Sequence, residues 1–362
     1  MVVEWLAGNR IRGTSTDRTV GTPAVPTGTA DTAGGVGGWK EVGRTTLESA
    51  SDTITVSSLP DKRYYMVLSN IISTGYTYHQ IRLNGDSGSN YASRRVNNGA
   101  ADQLIVDQAG IFIAPTTMAD QVLSVAYLAS KSGQYKLGMD TLVNGGGTGT
   151  SESTKRVEMV GKYVPSDLTD PISSLTMYNT HSGDYASGSE IVVLAWDPAD
   201  THTTNFWEEL ASVELSATAS QLDSGTFTAK KYLLGKIYAK GTSGINPNLQ
   251  FNGDTGTNYS SRYSSDGATP DGIDTGGTSI INNSNAGNEN SFINFNIINN
   301  SATEKLMISH ETNNNTNGIG NVPSRNEATG KWVTTGSQIT QITTKSAGTY
   351  AVGSIIKVWG SD

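Results

Sequence analysis

The chain has 362 residues, no cysteine and a formal net charge of −8 at pH 7. The missing cysteines exclude disulfides, a thiolate zinc site and a cysteine nucleophile, and the acidic balance argues against a nucleic-acid partner, because phosphate binding needs clustered Lys and Arg. Charged residues make up only 16% of the chain, whereas glycine occurs 41 times, so the composition favours strands joined by turns over long amphipathic helices. We therefore predict an all-β protein. No apolar run reaches the 18 residues of a membrane span, so no membrane partner is expected.

Residues 1–38 are predicted to form an extended N-terminal arm. An apolar start with Trp5 and Leu6 is followed by a basic stretch with Arg10 and Arg12 and then by a run of Gly, Thr, Pro and Ala. Such a segment cannot bury enough surface to fold alone. One interpretation is a disordered tail, and the other is an anchoring arm that docks on a neighbouring subunit. We favour the anchoring arm.

The next part of the chain, residues 39–197, has the pattern of one β-rich module. Period-two alternation and runs of β-branched and aromatic residues predict short strands, and Gly, Pro and Asn-Gly breaks separate them. About eight strands at this spacing are typical of a β-sandwich or jelly roll. The predicted strands cover residues 42–47, 54–56, 64–72, 76–83, 104–113, 122–128, 156–164, 175–178 and 191–196.

The sequence contains two copies of this module. Residues 83–91 (LNGDSGSNY) recur 168 positions later as residues 251–259 (FNGDTGTNY), and Trp39 and Tyr64 keep the same offset to Trp207 and Tyr232. A copy of this length predicts a tandem duplication of a module of about 150 residues. We therefore expect two jelly-roll-like β-sandwich domains, residues 39–197 and 206–362, each with its own core, joined by a short linker at 198–205.

The repeated turn contains the two acids Asp86 and Asp254. Their oxygens, with neighbouring Ser, Thr and Asn, could hold calcium, but an aspartate that caps the N–H groups of its own turn explains the same residues without a metal. We favour the cap, keep both as weak calcium candidates, and expect no cofactor. The repeated side chains expected to hold the turn against the sheet are Tyr91, Tyr259, Arg94 and Arg262.

Asparagine is concentrated at residues 282–326 of the second module. Within this stretch residues 292–298 alternate with period two and predict a strand, which places the remaining asparagines in loops. Loops on a rigid sandwich are a common place for binding, so we expect an interaction surface at Asn313, Asn314 and Asn315. Simple solvated turns are the alternative interpretation.

No arrangement of residues predicts catalysis. The histidines are scattered at positions 79, 181, 202 and 310 and do not recur between the modules, and no metal-ligand or triad spacing is present. A pair of carboxylates, as in a glycan-degrading enzyme, is the alternative that a sequence leaves open. We predict that the protein is not an enzyme.

Three motifs together carry a resemblance to a known class. Trp-x-Glu opens each module, the Asn-Gly-Asp turn lies in its middle, and Gly-x-Tyr-x-x-Gly-Ser-x-Ile precedes its closing strand. This order resembles a module of tailed-phage and environmental virus structural proteins, found in tail fibres and capsid-decorating proteins, and the leader WLAGNRIRGTS at residues 5–15 is similar to theirs. The first copy departs from the pattern at Leu83 and Ser87.

The resemblance implies a homo-oligomeric virion protein without enzymatic activity, made in the host cytoplasm. We expect a capsid decoration, spike or tail-fibre component whose partners are copies of itself and virion shell or tail proteins. The alternatives are a carbohydrate-binding or host-receptor-binding module, with host-surface glycans as partners, and a double jelly-roll major capsid protein.

Overall fold

The computed structural model describes residues 4–6, 10–12, 38–116, 120–197, 200, 205–242, 244–281, 290–314 and 322–362. Every regular element in these ranges is a β-strand, so the all-β prediction is confirmed, and the jelly-roll order of connections stays a prediction. Over the same ranges, no helix has the length and apolar character needed to cross a membrane.

The strands of the first half of the chain alternate with short turns. The arm contains β1 (Glu4–Leu6) and β2 (Arg10–Arg12). The first module contains β3 (Lys40–Thr46), β4 (Thr53–Val56), β5 (Tyr64–Ile72), β6 (Thr77–Leu83), β7 (Tyr91–Asn97), β8 (Gln103–Gln108), β9 (Ile111–Thr116), β10 (Gln121–Ala129), β11 (Lys136–Asn144), β12 (Lys155–Tyr163), β13 (Leu175–Asn179) and β14 (Glu190–Trp196).

The second module repeats this series. Its strands are β15 (Glu208–Glu214), β16 (Ala219–Asp223), β17 (Tyr232–Lys240), β18 (Asn248–Phe251), β19 (Tyr259–Ser265), β20 (Gly272–Gly277), β21 (Asn290–Ile298), β22 (Lys305–Asn313), β23 (Ser324–Trp332), β24 (Ile342–Tyr350) and β25 (Ile355–Ser361).

The two modules have the same sheet topology. Each has an eight-stranded antiparallel sheet, in the order β3-β14-β5-β10-β11-β12-β7-β8 and β15-β25-β17-β21-β22-β23-β19-β20, and these orders match strand for strand. The smaller sheets are β4-β13-β6-β9 and β16-β24-β18. In the second module Ile280 forms an isolated bridge to Leu249, which is the place that β9 takes beside β6. The duplication seen in the sequence therefore extends to the order of the strands.

In the first module, one predicted strand was wrong and two were missed. The apolar run 104–113 is not one strand but two, because the chain leaves the large sheet after β8 and enters the small sheet with β9. Asp107 adopts a positive φ of 55° near this corner, which the continuous apolar composition does not reveal. The strands absent from the prediction are β7 and β11, in which charged and small residues interrupt the apolar pattern.

Three apolar cores hold the molecule together, where two were expected. One fills the space between the two sheets of the first module and one does the same in the second module. The third lies between the two large sheets, whose outer faces pack against each other, and it includes Leu123 and Val143 from the first module and Tyr232 and Leu306 from the second. The modules are thus joined by a buried interface as well as by the linker.

The arm contributes one short antiparallel pair, in which Trp5 pairs with Ile11 and Leu6 with Arg10. The side chains of Trp5, Leu6, Arg10 and Arg12 lie outside the described residues, as do the remaining residues of 1–37 and residues 198–199 and 201–204 of the linker. The anchoring role of the arm stays a prediction.

Candidate functional site

The repeated turn is held by its own aspartate. Asp254 Oδ1 accepts a hydrogen bond from the Gly256 N–H (2.8 Å), and Oδ2 accepts from Asn258 Nδ2 (2.9 Å) and from Trp332 Nε1 (2.7 Å). Burial alone would raise the pKa of Asp254, but these hydrogen bonds outweigh it and the pKa is lowered. All the donors come from the protein itself, as the cap interpretation requires.

Asp86 makes the same contacts in the first module. It accepts from the Gly88 N–H (2.8 Å) and Asn90 Nδ2 (2.9 Å), and Tyr163, at the position of Trp332, supplies the third hydrogen bond. The tyrosine hydroxyls hold the turn as expected, since Tyr91 donates to the Asp86 carbonyl (3.1 Å) and Tyr259 to the Asp254 carbonyl (3.0 Å). The expectation for the arginines was wrong: Arg94 pairs with Asp102, and Arg262 donates to the Thr154 carbonyl.

The Asn-rich positions divide between the interior and a strand end. Asn313 is buried at the end of β22, so it offers little surface to a partner. Asn314 Oδ1 accepts from the Asn290 N–H (2.8 Å) and fixes the start of β21. Asn315 lies outside the described residues.

The described histidines do not meet in a common site. His79 is buried and stacks on Tyr185, and burial lowers its pKa to about 4. His310 lies 4.0 Å from Glu158, whereas His181 lies against Tyr78. In the part of the chain that the structure describes, no group of three or more His, Asp or Glu could hold a metal ion.

The outer face of each large sheet is best described by two rows of side chains that cross the strands. Row 1 is Trp196, Tyr64, Ala129, Leu137 and Lys162 in the first module, and Ser361, Tyr232, Ile298, Leu306 and Lys331 in the second. Side chains on one face recur every second residue, so the row six residues away along each strand is row 4, and rows 2 and 3 lie between. Row 4 is Glu190, Asn70, Leu123, Val143 and Arg156 in the first module, and Ile355, Tyr238, Phe292, Thr312 and Arg325 in the second.

The modules dock head to tail, with row 4 of the first against row 1 of the second. Buried Glu190 accepts hydrogen bonds from the Tyr232 hydroxyl (2.7 Å) and from Lys231 Nζ (2.8 Å). Burial would raise the pKa of Glu190, but bonds from Lys231, Thr46 and Tyr232 outweigh it and lower the pKa. A buried charge is tolerated at this interface because it is fully paired.

An ion pair closes the other edge of the same interface. Arg156 in row 4 of the first module contacts Asp271, just before β20, through Nη2 to Oδ1 (3.0 Å) and Nε to Oδ2 (3.3 Å). Both side chains are buried. The Gly-rich connection that precedes Arg156 also reaches the second module, where the Gly147 carbonyl accepts from Lys331 Nζ (2.6 Å).

Among the described residues, row 1 of the first module has no such cover and borders an open cleft of about 440 Å³. We call this the aromatic cleft. The rings of Tyr64 and Trp196 stack at 5.4 Å, and Trp39 lies 6.3 Å from Tyr127. Sequence reasoning used Trp39 and Tyr64 only as landmarks of the repeat; the signal it missed was aromatic residues on strand positions of one face. The residues that line it are Trp39, Tyr64, Tyr65, Tyr127, Leu128, Ala129, Leu137, Gly138, Met139 and Trp196.

A second groove of about 480 Å³ continues from the cleft along the sheet. It shares Tyr127 and Met139 with the cleft and ends at Glu158 and His310, where the second module forms a wall. Two of its acids have arginine partners: Asp102 pairs with Arg94 at 2.8 Å, and Glu158 pairs with Arg156. The arrangement supplies apolar and aromatic contact with a charged border, which suits binding.

Comparisons with known proteins leave this chain without an assigned family. No protein-family model matches the chain and no curated protein matches it. Solved structures that align with it include Neisserial surface protein A (7% identity, 78% of this chain and 96% of that chain, TM-score 0.14) and domains LG4-5 of the mouse laminin alpha1 chain (11% identity, 89% and 90%, TM-score 0.19). A third is Ail, the attachment invasion locus protein of Yersinia pestis (5% identity, 75% and 99%, TM-score 0.13).

Proposed function

We propose that the chain is a non-catalytic structural protein of a virus particle, a decoration, spike or tail-fibre component attached through residues 1–38. The observation that carries the proposal is the third apolar core, which joins the outer faces of the two large sheets. A buried interface of this kind fixes the geometry between modules, which suits a building block. The virion setting rests on the sequence resemblance.

Deletion of residues 1–38 tests this proposal. The variant should unfold at nearly the same temperature as the full chain, because every core residue in the part of the chain that the structure describes lies after residue 38. It should also fail to enter particles seen by electron microscopy. A large drop in melting temperature would place the arm in a folded core instead. Normal incorporation of the variant would contradict the anchoring role.

Carbohydrate binding is the second candidate function, and the aromatic cleft favours it. Exposed aromatic rings give an apolar platform with polar edges, and the Tyr64–Trp196 stack offers one in a cleft that Tyr127 also lines. A glycan array with the intact chain tests this reading. Binding that disappears in Trp196→Ala and persists in Leu104→Ala, an exposed position on the far strand β8, would support it.

Two further measurements separate the remaining alternatives. A major capsid protein would be present at the copy number of the shell lattice, whereas a decoration or fibre protein would follow the number of its attachment points, so particle stoichiometry decides between them. Turnover of a polysaccharide by the intact protein would contradict the non-enzyme proposal.

A further inference from the structure

Equivalent residues of the two outer faces have opposite burial. In row 1, Leu137 of the first module is 56% exposed, whereas its counterpart Leu306 is 0% exposed under the first module. In row 4, Leu123 of the first module is 1% exposed, whereas its counterpart Phe292 is 45% exposed. The internal joint therefore buries row 4 of the first module and row 1 of the second. In the part of the chain that the structure describes, row 1 of the first module and row 4 of the second stay uncovered, and these are the two unused surfaces.

We propose that the aromatic cleft of one copy receives the row 4 face of the second module of another copy, so that the joint between copies repeats the joint within the chain. The inference rests on the proposed structural role, for which it names the partner as a second copy of this chain. A row 1 to row 4 contact is heterologous, and such contacts make rings when the rotation closes and filaments when it does not.

The apolar side chains on the two unused surfaces are complementary. Row 1 of the first module offers Tyr64, Trp196 and Leu137, and row 4 of the second offers Tyr238 and Phe292, all partly or largely exposed. Large apolar side chains grouped on an open sheet face commonly mark an interaction surface. In the internal joint, row 4 of the first module packs against row 1 of the second, and Leu123 and Leu306 in these rows are buried from water.

The charged groups are complementary as well. The internal joint pairs Arg156 with Asp271, and the unused surfaces carry their counterparts Arg325 and Asp102. Asp102 precedes β8 as Asp271 precedes β20, and Arg325 is held beside Glu327 (2.6 Å) as Arg156 is held beside Glu158. Both Arg325 and Asp102 are largely exposed. We expect Arg325 of one copy to pair with Asp102 of the next.

Mixing two blocked variants tests the inference. Leu137→Asp blocks the cleft and leaves row 4 of the second module intact, and Phe292→Asp does the reverse. In sedimentation velocity the unmodified chain should associate with rising concentration, each variant alone should bind itself at least about tenfold more weakly, and an equimolar mixture should form a 1:1 complex. Leu104→Asp, on the far strand β8, is the matched control and should associate like the unmodified chain.

Each other outcome overturns the inference. The inference is contradicted if the unmodified chain is monomeric or if the mixture stays monomeric. It is also contradicted if Phe292→Asp still self-associates, because two clefts would then pair with each other. If circular dichroism shows that either variant is misfolded, Met139→Asp replaces Leu137→Asp and Tyr238→Asp replaces Phe292→Asp. As an independent test of the ion pair, a chain with both Asp102→Arg and Arg325→Asp should associate more strongly than a chain with either change alone. These measurements use purified protein, so their failure is distinct from a failure of arm-dependent incorporation into particles.

Discussion

Asp140 is a carboxyl group placed on the inner face of the first module's large sheet. Its side chain is buried, and Ser124 Oγ donates a hydrogen bond to Oδ1 (2.7 Å). Among the described residues, Oδ2 has no hydrogen-bond partner. Burial raises its pKa from 3.8 to about 6. The carboxylate form therefore weakens the folded state at neutral pH.

We expect Asp140→Asn to stabilise the protein at pH 7. Because the folded pKa is raised, the folded state binds more protons than the unfolded state between pH 4 and 6, and the free energy of unfolding falls as pH rises through this range. A shift of about two pKa units corresponds to roughly 3 kcal/mol. Urea unfolding of both proteins at pH 4 and pH 7 should show a gain for the variant at pH 7 that shrinks at pH 4. An equal difference at both pH values would show that titration of Asp140 is not the cause.

The Asp-Gly turn gives a second prediction at the residue scale. Asp254→Ala removes the acceptor of three hydrogen bonds and leaves the buried Trp332 N–H without its partner, so we expect a loss of about 1–3 kcal/mol. Thr255→Ala, an exposed change in the same turn, is the control and should stay within about 0.5 kcal/mol. Chemical denaturation measures both. Excess calcium should not raise the melting temperature of the unmodified chain; a clear rise would restore the metal interpretation.

At the scale of elements, the duplicated strands β5 and β17 reach the same packing with different residues. Val67 pairs with Ala126 in the first module, and Gly235 pairs with Phe295 at the equivalent positions of the second. A Cβ on Gly235 would lie 1.9 Å from Phe295 Cζ. The large side chain has moved from one strand to its neighbour, while both pairs fill the same layer of a core.

This exchange predicts strong coupling between the two positions. Gly235→Val should overpack the second core and cost about 1–3 kcal/mol or more, and Phe295→Ala should leave a cavity and cost roughly 3–5 kcal/mol. The double variant recreates the pair of the first module, so its loss should be smaller than the sum by about 0.5–3 kcal/mol. Thermal and chemical unfolding of the four proteins give the coupling free energy. Additive losses would show that the pairs are not interchangeable.

At the scale of the whole molecule, the joint between modules contains a buried ion pair with an exposed counterpart. Asp271→Asn leaves the buried Arg156 guanidinium without its bidentate partner and should cost roughly 3 kcal/mol of unfolding free energy. Asp102→Asn removes the equivalent acid, which pairs with Arg94 at the surface, and should cost about 0–1 kcal/mol. Both are measured at low protein concentration, where copies are separate. Equal losses would mean that the Arg156 pair does not stabilise the joint.

Much of the architecture follows from local patterns that a sequence displays. The period-two alternation in β21 predicted the strand, and its residues Ile293, Phe295 and Ile297 are buried in the second core. The Asn-Gly turns were equally readable, because Asn84 and Asn252 adopt a positive φ at equivalent turns. The duplication predicted the shared strand order. These features depend on neighbours in sequence, or on a comparison of the chain with itself.

The candidate site depended on the tertiary structure. Leu137 on β11 and Leu306 on β22 occupy equivalent positions of equivalent sheets, yet the Leu137 side chain is exposed and the Leu306 side chain is buried. The difference comes from how one large sheet is offset across the other, which buries row 4 of the first module and row 1 of the second. That offset is set by contacts between residues far apart in the chain, such as Glu190 with Tyr232 and Arg156 with Asp271. The two like modules could therefore be recognised in the sequence, whereas the face of each module that stays exposed depends on how the modules pack against each other.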